Sequence, residues 1–518
     1  MKKKFVAVAM VLVLALTAVI GGSFAYFTDT EAATNVMVMG NIDISQLEYE
    51  RVVDANGNWI PTNTTDKYGY TPDELQEFVQ EKPLYPAVFA DGAIKWDDRT
   101  SGHQQSWGQL DAPGSNQLFD DSVKNAIDKF VFVKNESGHS DAYVRTIFAF
   151  EQGDLTAAEF DEIIGTSADA NHWDWETIAT DVEIDGQKYV IATATYMGPT
   201  SDPTGILPAD SVSYPSLLQV YMVPETTQEQ VTSFGGTYEI LVLSQAVQTE
   251  GFADAETALN TAFGKPGDTA ANGLMNAQAW FYESNGAVLV ESAEELQETL
   301  TNGGNAVLTK DVVLTENLPM NGGVLNGNGK TITAGSTGYD CAVTTTGGMI
   351  SDLTITGSAD ATRAIGSGST GDHVLTEDLH ISNVRIDKVM YAINGGADSS
   401  ANVSVYVNDS VVYGWISYAG LEQFEFNNCT IGKGDSYDGY MVVYGNTRFN
   451  GCTFEEFDMC AADSVPAGSQ VEFNGCTNDG VQVTAENFKT LFMYPGDEVD
   501  FNKLQSCTVV VDGVEVQW

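Results

Sequence analysis

The sequence predicts a mainly β protein in two folded halves, the second a solenoid of stacked rungs. Two observations carry this. Five segments from Leu379 onward read alike: LHISNVRID, VYVNDSVVY, FEFNNCTIG, TRFNGCTFE and VEFNGCTND. Each is a short alternating run, then Asn, then a small or apolar residue and another short run. Aligned on Val384, Ser410, Cys429, Cys452 and Cys476, they recur at intervals of 26, 19, 23 and 24 residues. A strand-plus-turn unit repeating every ~20–30 residues marks a solenoid. One rung cannot bury its apolar face, and stacked rungs can. The second observation is size: 518 residues, 43% hydrophobic, supply cores for two or three domains.

The chain opens with a leader pattern. Lys2, Lys3 and Lys4 precede an apolar run from Phe5 to Ile20, and Ser23-Phe24-Ala25 offers small residues for cleavage. That run is short for a bilayer-spanning helix. The expectation is export with cleavage at Ala25 and no transmembrane segment after processing. No second spanning stretch and no LPxTG motif is seen. The chain carries 72 acids against 23 bases, a net charge of −49. This argues against nucleic-acid or anionic-lipid partners. Acid richness leaves calcium open as a cofactor, although no EF-hand or RTX pattern is present.

After Ala25 come Tyr26-Phe27-Thr28-Asp29-Thr30-Glu31, then Gly40-Asn41-Ile42-Asp43-Ile44. This resembles the SipW-dependent signal peptides of the TasA/camelysin family, which Gram-positive bacteria export through a dedicated signal peptidase. The same resemblance continues in Val133-Lys134-Asn135 with Asp141-Ala142-Tyr143-Val144-Arg145, and in YEILVLSQAVQTEGFADAETALNTAFG. It implies a jelly-roll-like β-sandwich over residues 26–285.

Within that half, Ile42, Ile44 and Leu47 open a strand, and residues 54–120 read as long loops. Lys129–Lys134 and Ala142–Phe150 flank Asn135-Glu136-Ser137-Gly138, which reads as a β-hairpin. Val144, Thr146, Phe148 and Phe150 fall on one face of the second run, and Tyr143, Arg145 and Ile147 on the other. Further strands are expected at Lys188–Met197, Leu217–Val223 and Tyr238–Leu243. A helix comes next, with Ala255, Ala258, Leu259, Ala262 and Phe263 as its stripe, Asp254 as cap, and Gly264 and Pro266 as its end.

Residues 286–518 begin with Ser292-Ala293-Glu294-Glu295, read as a capping box on a short helix that closes the solenoid. Ala306–Lys310 and Val312–Thr315 come after it. Leu325-Asn326-Gly327-Asn328-Gly329-Lys330-Thr331-Ile332-Thr333 resembles a rung of the right-handed parallel β-helix of pectate-lyase type. Met349–Thr356 makes the next rung, with Ile355 falling 23 residues after Ile332. All six cysteines, Cys341, Cys429, Cys452, Cys460, Cys476 and Cys507, lie in this half. An even count in an exported protein suggests disulfides, and rungs ~4.8 Å apart would permit them. The shared register of Cys429, Cys452 and Cys476 points instead to a ladder of buried thiols.

Candidate chemistry is sparse. The camelysin resemblance raises a metalloprotease, but His103, His139, His172, His373 and His380 fit no HExxH, and no CxxC pair is present. On the solenoid, Asp352, Asp387 and Asp409 with Arg385 and Lys388 are the candidates for glycan cleavage, which needs paired acids or a base. They share no register, so a solvated face is the simpler reading and no catalytic residue is assigned. Tyr391, Tyr406, Tyr413, Trp415, Tyr418, Tyr437, Tyr440 and Tyr444 can stack on sugars or pack between rungs.

The resulting expectation is a secreted cell-surface or biofilm-matrix structural or adhesive protein, not an enzyme. The TasA resemblance implies fibres built by donor-strand addition, with Tyr26, Phe27, Ile42, Ile44 and Leu47 in the donor segment. The alternative is a polysaccharide-degrading or glycan-binding β-helix carried on a TasA-like domain. The partners expected are further copies of the chain and matrix polysaccharide.

Overall fold

The computed structural model describes residues 28–32, 35–39, 42–52, 72, 75–80, 82–89, 123–199, 201, 203–232, 238–334, 341–357, 363–367, 374–398, 402–436, 438–493 and 498–518. The protein is mainly β and divides into two compact units. Unit one comprises described residues up to Val182, with Gln187–Ala270 and Met275–Asn285. Unit two comprises Glu183–Gly186, Ala271–Leu274 and Gly286–Trp518. Among the described residues no helix is long and apolar enough to cross a membrane.

Strand Ala142–Glu151 organises unit one. All ten of its residues are buried, because both of its faces are covered. Val144, Phe148 and Phe150 join a core with Val190, Ala192, Ala194, Leu217, Val220 and Met222. Tyr143, on the other face, packs with Val247, Ala258 and Leu259. The last two belong to helix Ala255–Phe263. Asp254 caps that helix by accepting the Thr257 N–H at 2.8 Å, and Gly264 ends it at φ 82°. Gln187–Tyr196 and Ile240–Gln248 flank the central strand, both antiparallel. Opposite lie two three-stranded sheets. One is Ile164–Ala168, Leu217–Met222 and Ile127–Asp128; the other is Gln76–Glu77, Ile44–Glu50 and Phe130–Asn135.

The hairpin expected around Asn135 does not form. Phe130–Asn135 pairs with Ile44–Glu50, whereas Ala142–Glu151 lies in the large sheet. The connection crosses between layers. The buried Asn135 amide donates to the carbonyls of Ser140 and Leu207, and its Oδ1 accepts the Ser137 N–H at 3.1 Å. Such an Asx turn reverses the chain without fixing which strand each arm will pair with.

Unit two is a parallel stack. From Ala287–Val290 to Thr508–Val511, successive strands pair in parallel in a 17-stranded sheet, and a 7-stranded parallel sheet accompanies it. The two antiparallel pairings in the larger sheet lie at its C-terminal end. Ile332, Ile355, Ile386, Val412, Ile431 and Phe454 align as one buried column. Phe426, Phe449 and Phe473 form another, with ring centroids 5.1 and 4.9 Å apart. Each buried side chain of this size contributes about 1.5–3 kcal/mol.

The Asn of each repeat has a specific job. Asn408, Asn427, Asn450 and Asn474 stand in register. The Nδ2 of Asn427, Asn450 and Asn474 each donates to the Oδ1 one rung before, at 2.8, 2.7 and 2.9 Å. The residue after each Asn turns left-handed: Asp409 at φ 49°, Asn428 at 54°, Gly451 at 61° and Gly475 at 62°. Only Gly, Asn and Asp take that conformation cheaply. Next come Ser410, Cys429, Cys452 and Cys476, all buried. The last three are free thiols and not disulfides. Each Sγ donates to a backbone carbonyl within the stack, at 3.3 to 3.5 Å.

Helix Ala293–Thr301 buries Leu296 and Leu300 in the stack's core. Ser292 caps it, but the box differs from expectation. Glu295 accepts the Glu291 N–H at 2.8 Å rather than that of the cap residue. At the other end Phe488, Phe492, Phe501 and Leu504 close the core from short helices. This second cap has no repeat signature in the sequence.

Candidate functional site

Thr28–Ala32 and Asn35–Met39 form a hairpin at one edge of the large sheet. Ala25, Tyr26 and Phe27 lie outside the described residues. Thr28–Ala32 pairs antiparallel with Ile240–Gln248, from Thr28 opposite Val247 to Ala32 opposite Leu243, and Asn35–Met39 folds back on it. Residues 42–47 are held differently. Ile42 and Ile44 are fully buried in the sandwich core, and Leu47 packs on Phe130, Phe132 and Leu218. Asp43 donates its N–H to Ser137 Oγ at 2.9 Å. Just beyond, the buried pair Arg51–Asp128 closes at 2.6 Å, and Gln219 Nε2 donates to the same carboxylate at 2.8 Å. The segment expected to donate a strand therefore falls into two parts, a hairpin at the sheet edge and a core-anchored strand.

The carboxylate candidates of the stack do not converge. Asp352, at φ 52°, and Asp409 occupy left-handed corners, and Lys388, at φ 56°, occupies another. The two Asp answer a backbone requirement, whereas Lys is not a type that takes this conformation cheaply. Asp352 accepts from Asn383 Nδ2 at 2.7 Å, and burial pushes its carboxyl up while that bond opposes the shift. Asp409 accepts from Asn428 Nδ2 at 3.2 Å. Asp387 accepts from Arg385 at 2.7 Å, from the Lys388 N–H at 2.8 Å and from the Asp435 N–H at 3.2 Å. Arg385 also lies over the Tyr413 ring at 5.3 Å. This geometry ties loops and rungs together.

The histidines are dispersed. His139 is exposed, and His380 is exposed and stacked on Tyr406 at 5.0 Å. His103 and His373 lie outside the described residues. His172 is buried, with Nδ1 2.7 Å from Asp169 Oδ2 and its ring 3.6 Å from that of Tyr214. The aromatics separate into groups. Tyr418 points into the core, Tyr413 donates to Glu455 at 2.8 Å, and Tyr444 is exposed. Tyr437 lies outside the described residues. Tyr391, Trp415 and Tyr440 align on the smaller sheet. The sequence showed their density but not this alignment, because their spacing depends on the loops between rungs.

Residues 1–67 match the camelysin metallo-endopeptidase family model. The match takes in Thr28–Met39 and Ile42–Leu47 and ends at residue 67. No curated protein and no solved structure matches the chain. The metal named in that family's description can be tested against this chain. Residues 1–67 contain neither His nor Cys. Among the described residues no three His, Cys, Asp or Glu side chains converge on a common point. The described donor set does not fit a metal centre, and no catalytic step is derived through one.

Proposed function

We propose that this chain is a secreted structural protein of the cell surface or biofilm matrix, assembled by strand exchange. In this reading a TasA-like, jelly-roll-like sandwich is followed in the chain by a right-handed parallel β-helix. The observation that supports it most is the pairing of Thr28–Ala32 with Ile240–Gln248 of its own chain. Thr28–Ala32 and Asn35–Met39 together close one edge of that sheet as a hairpin, and an edge hairpin can be replaced by the same hairpin of a neighbour, which forms the same main-chain hydrogen bonds. Ile42, Ile44 and Leu47 then act as the fixed root of the donor segment, since withdrawing them would empty the core.

Electron microscopy of processed protein tests this. Wild type is expected to form filaments, and a chain lacking Tyr26–Asn41 is expected to stay monomeric with its sandwich folded. Unchanged filaments in the deletion would refute strand exchange.

A further inference from the structure

The two outward faces of the parallel stack differ in kind. On the larger sheet, Glu425, Arg448 and Glu472 align, and Arg448 bonds Glu472 at 2.6 Å and Glu425 at 3.4 Å. That column satisfies itself. On the smaller sheet the register aligns Arg363, Tyr391, Trp415, Tyr440 and Asp458. Each is half-buried, whereas their strand neighbours Ala364, Ala392, Ile416 and Met441 are buried. The column therefore faces outward.

Its side chains form a continuous aromatic strip. The Arg363 guanidinium lies 4.9 Å from the Tyr391 ring. Tyr391 meets Trp415 edge to face at 5.3 Å, and Trp415 meets Tyr440 at 5.7 Å. Beside it runs a second outward column, Asn394, Ser417 and Val442, in which the Asn394 amide donates to the Ser417 hydroxyl. Among the described residues, Arg363 Nε and Trp415 Nε1 are buried donors without an acceptor. A buried donor left unpaired costs about 1–3 kcal/mol.

We propose that this strip binds an extended, uncharged polysaccharide lying along the stack axis. A pyranose has an apolar C–H face and a rim of hydroxyls. Tyr and Trp rings offer an apolar surface with polar handles, and they recur here at the rung repeat of ~4.8 Å. Asn394, Ser417 and Arg363 supply polar groups alongside for the hydroxyl rim. The chain's net charge of −49 disfavours polyuronates and other anionic glycans. The inference stands on unit two alone and does not depend on strand exchange.

Titration of the full chain with cello-hexaose, chito-hexaose and hexagalacturonate, monitored by calorimetry and tryptophan fluorescence, tests it. At least one neutral hexaose is expected to bind, and more tightly than hexagalacturonate. Trp415→Ala is expected to weaken that binding by at least about tenfold. Tyr440→Ala should weaken it less, Trp415→Phe should retain most of it, and Tyr444→Ala, outside the strip, should leave it unchanged. Should Trp415→Ala fail to fold, the Tyr440→Ala and Tyr444→Ala pair carries the test. Four results would each overturn the proposal. They are no binding of a neutral hexaose by wild type, tighter binding of hexagalacturonate, equal affinity in wild type and Tyr440→Ala, or loss of self-association in Tyr440→Ala at unchanged glycan affinity. The Tyr26–Asn41 deletion should bind the hexaose as wild type does, which separates this outcome from that of the filament test.

Discussion

The sandwich and the parallel stack both bury large aromatic side chains, but they connect them differently. In the sandwich, Phe148 and Phe150 sit on a strand whose partners come from residues 187–196 and 240–248. One strand mediates contacts between remote parts of the sequence. In the stack, Phe449 touches Phe426 and Phe473, one rung on either side. Cooperativity in the first unit is therefore global. In the second it is passed from neighbour to neighbour, as in other one-dimensional repeats.

The largest expected effect separates these cases. Phe148→Ala and Phe449→Ala each remove a fully buried ring and should each cost about 3–5 kcal/mol. Their spread should differ. Hydrogen exchange is expected to accelerate throughout unit one in Phe148→Ala, and mainly in rungs 424–427, 447–450 and 470–474 in Phe449→Ala. Uniform loss of protection from Val290 to Val511 in Phe449→Ala would show that the stack unfolds as one block.

A second contrast concerns charge. On the stack, Arg448 pairs with Glu425 and Glu472 across rungs, but the sandwich holds a strained acid. Burial pushes the Glu151 carboxyl up to about 7, with Glu239 adding to the rise and the Glu239 N–H, donated at 2.6 Å, opposing it. A carboxyl with a folded pKa above its unfolded value binds more protons in the fold. Its stabilising effect is present in full below the unfolded value near 4.5 and is lost as pH rises through about 7. Glu151→Gln should therefore gain about 1–2 kcal/mol over wild type at pH 8, after allowance for solvent screening, and little at pH 4. Thermal melts of both proteins at the two pH values measure this. A gain that is equal at both would remove Glu151 as the source.

The same difference in connection explains which parts of the molecule were legible in the sequence. The rungs declared themselves because stacking forces one residue type per position: Asn for the ladder, Gly, Asn or Asp for the left-handed corner, Cys or Ser for the small buried site. Ile332 and Ile355, read as equivalent from sequence, stand opposite each other. The sandwich helix at Ala255–Phe263 was equally plain from its stripe and caps. Pairing in the sandwich was not legible, as the hairpin misreading at Asn135 shows, because a turn specifies reversal and not partner. Asp352 and Asp409 drew suspicion as catalytic candidates because a corner requirement and a chemical one both select Asp. The outward aromatic strip was hidden by unequal loop lengths, which scatter Tyr391, Trp415 and Tyr440 in the sequence.

The smallest expected effect tests whether the ladder is a repeat property or a set of separate bonds. Asn450 gives one amide hydrogen bond to Asn427 and accepts another from Asn474, whereas Asn474 gives only the one to Asn450. Asn450→Ala breaks both and leaves Asn427 Oδ1 and Asn474 Nδ2 without these partners. Asn474→Ala breaks one, at an exposed position. At about 0.5–1.5 kcal/mol for each net bond, the interior substitution should cost roughly twice the terminal one. Chemical denaturation of both variants and of the double variant reads this out. If the bonds polarise one another along the column, Asn450→Ala will cost more than twice Asn474→Ala. Equal costs would mean that the ladder adds nothing beyond each corner's own geometry, and that the recurring Asn is kept for the turn alone.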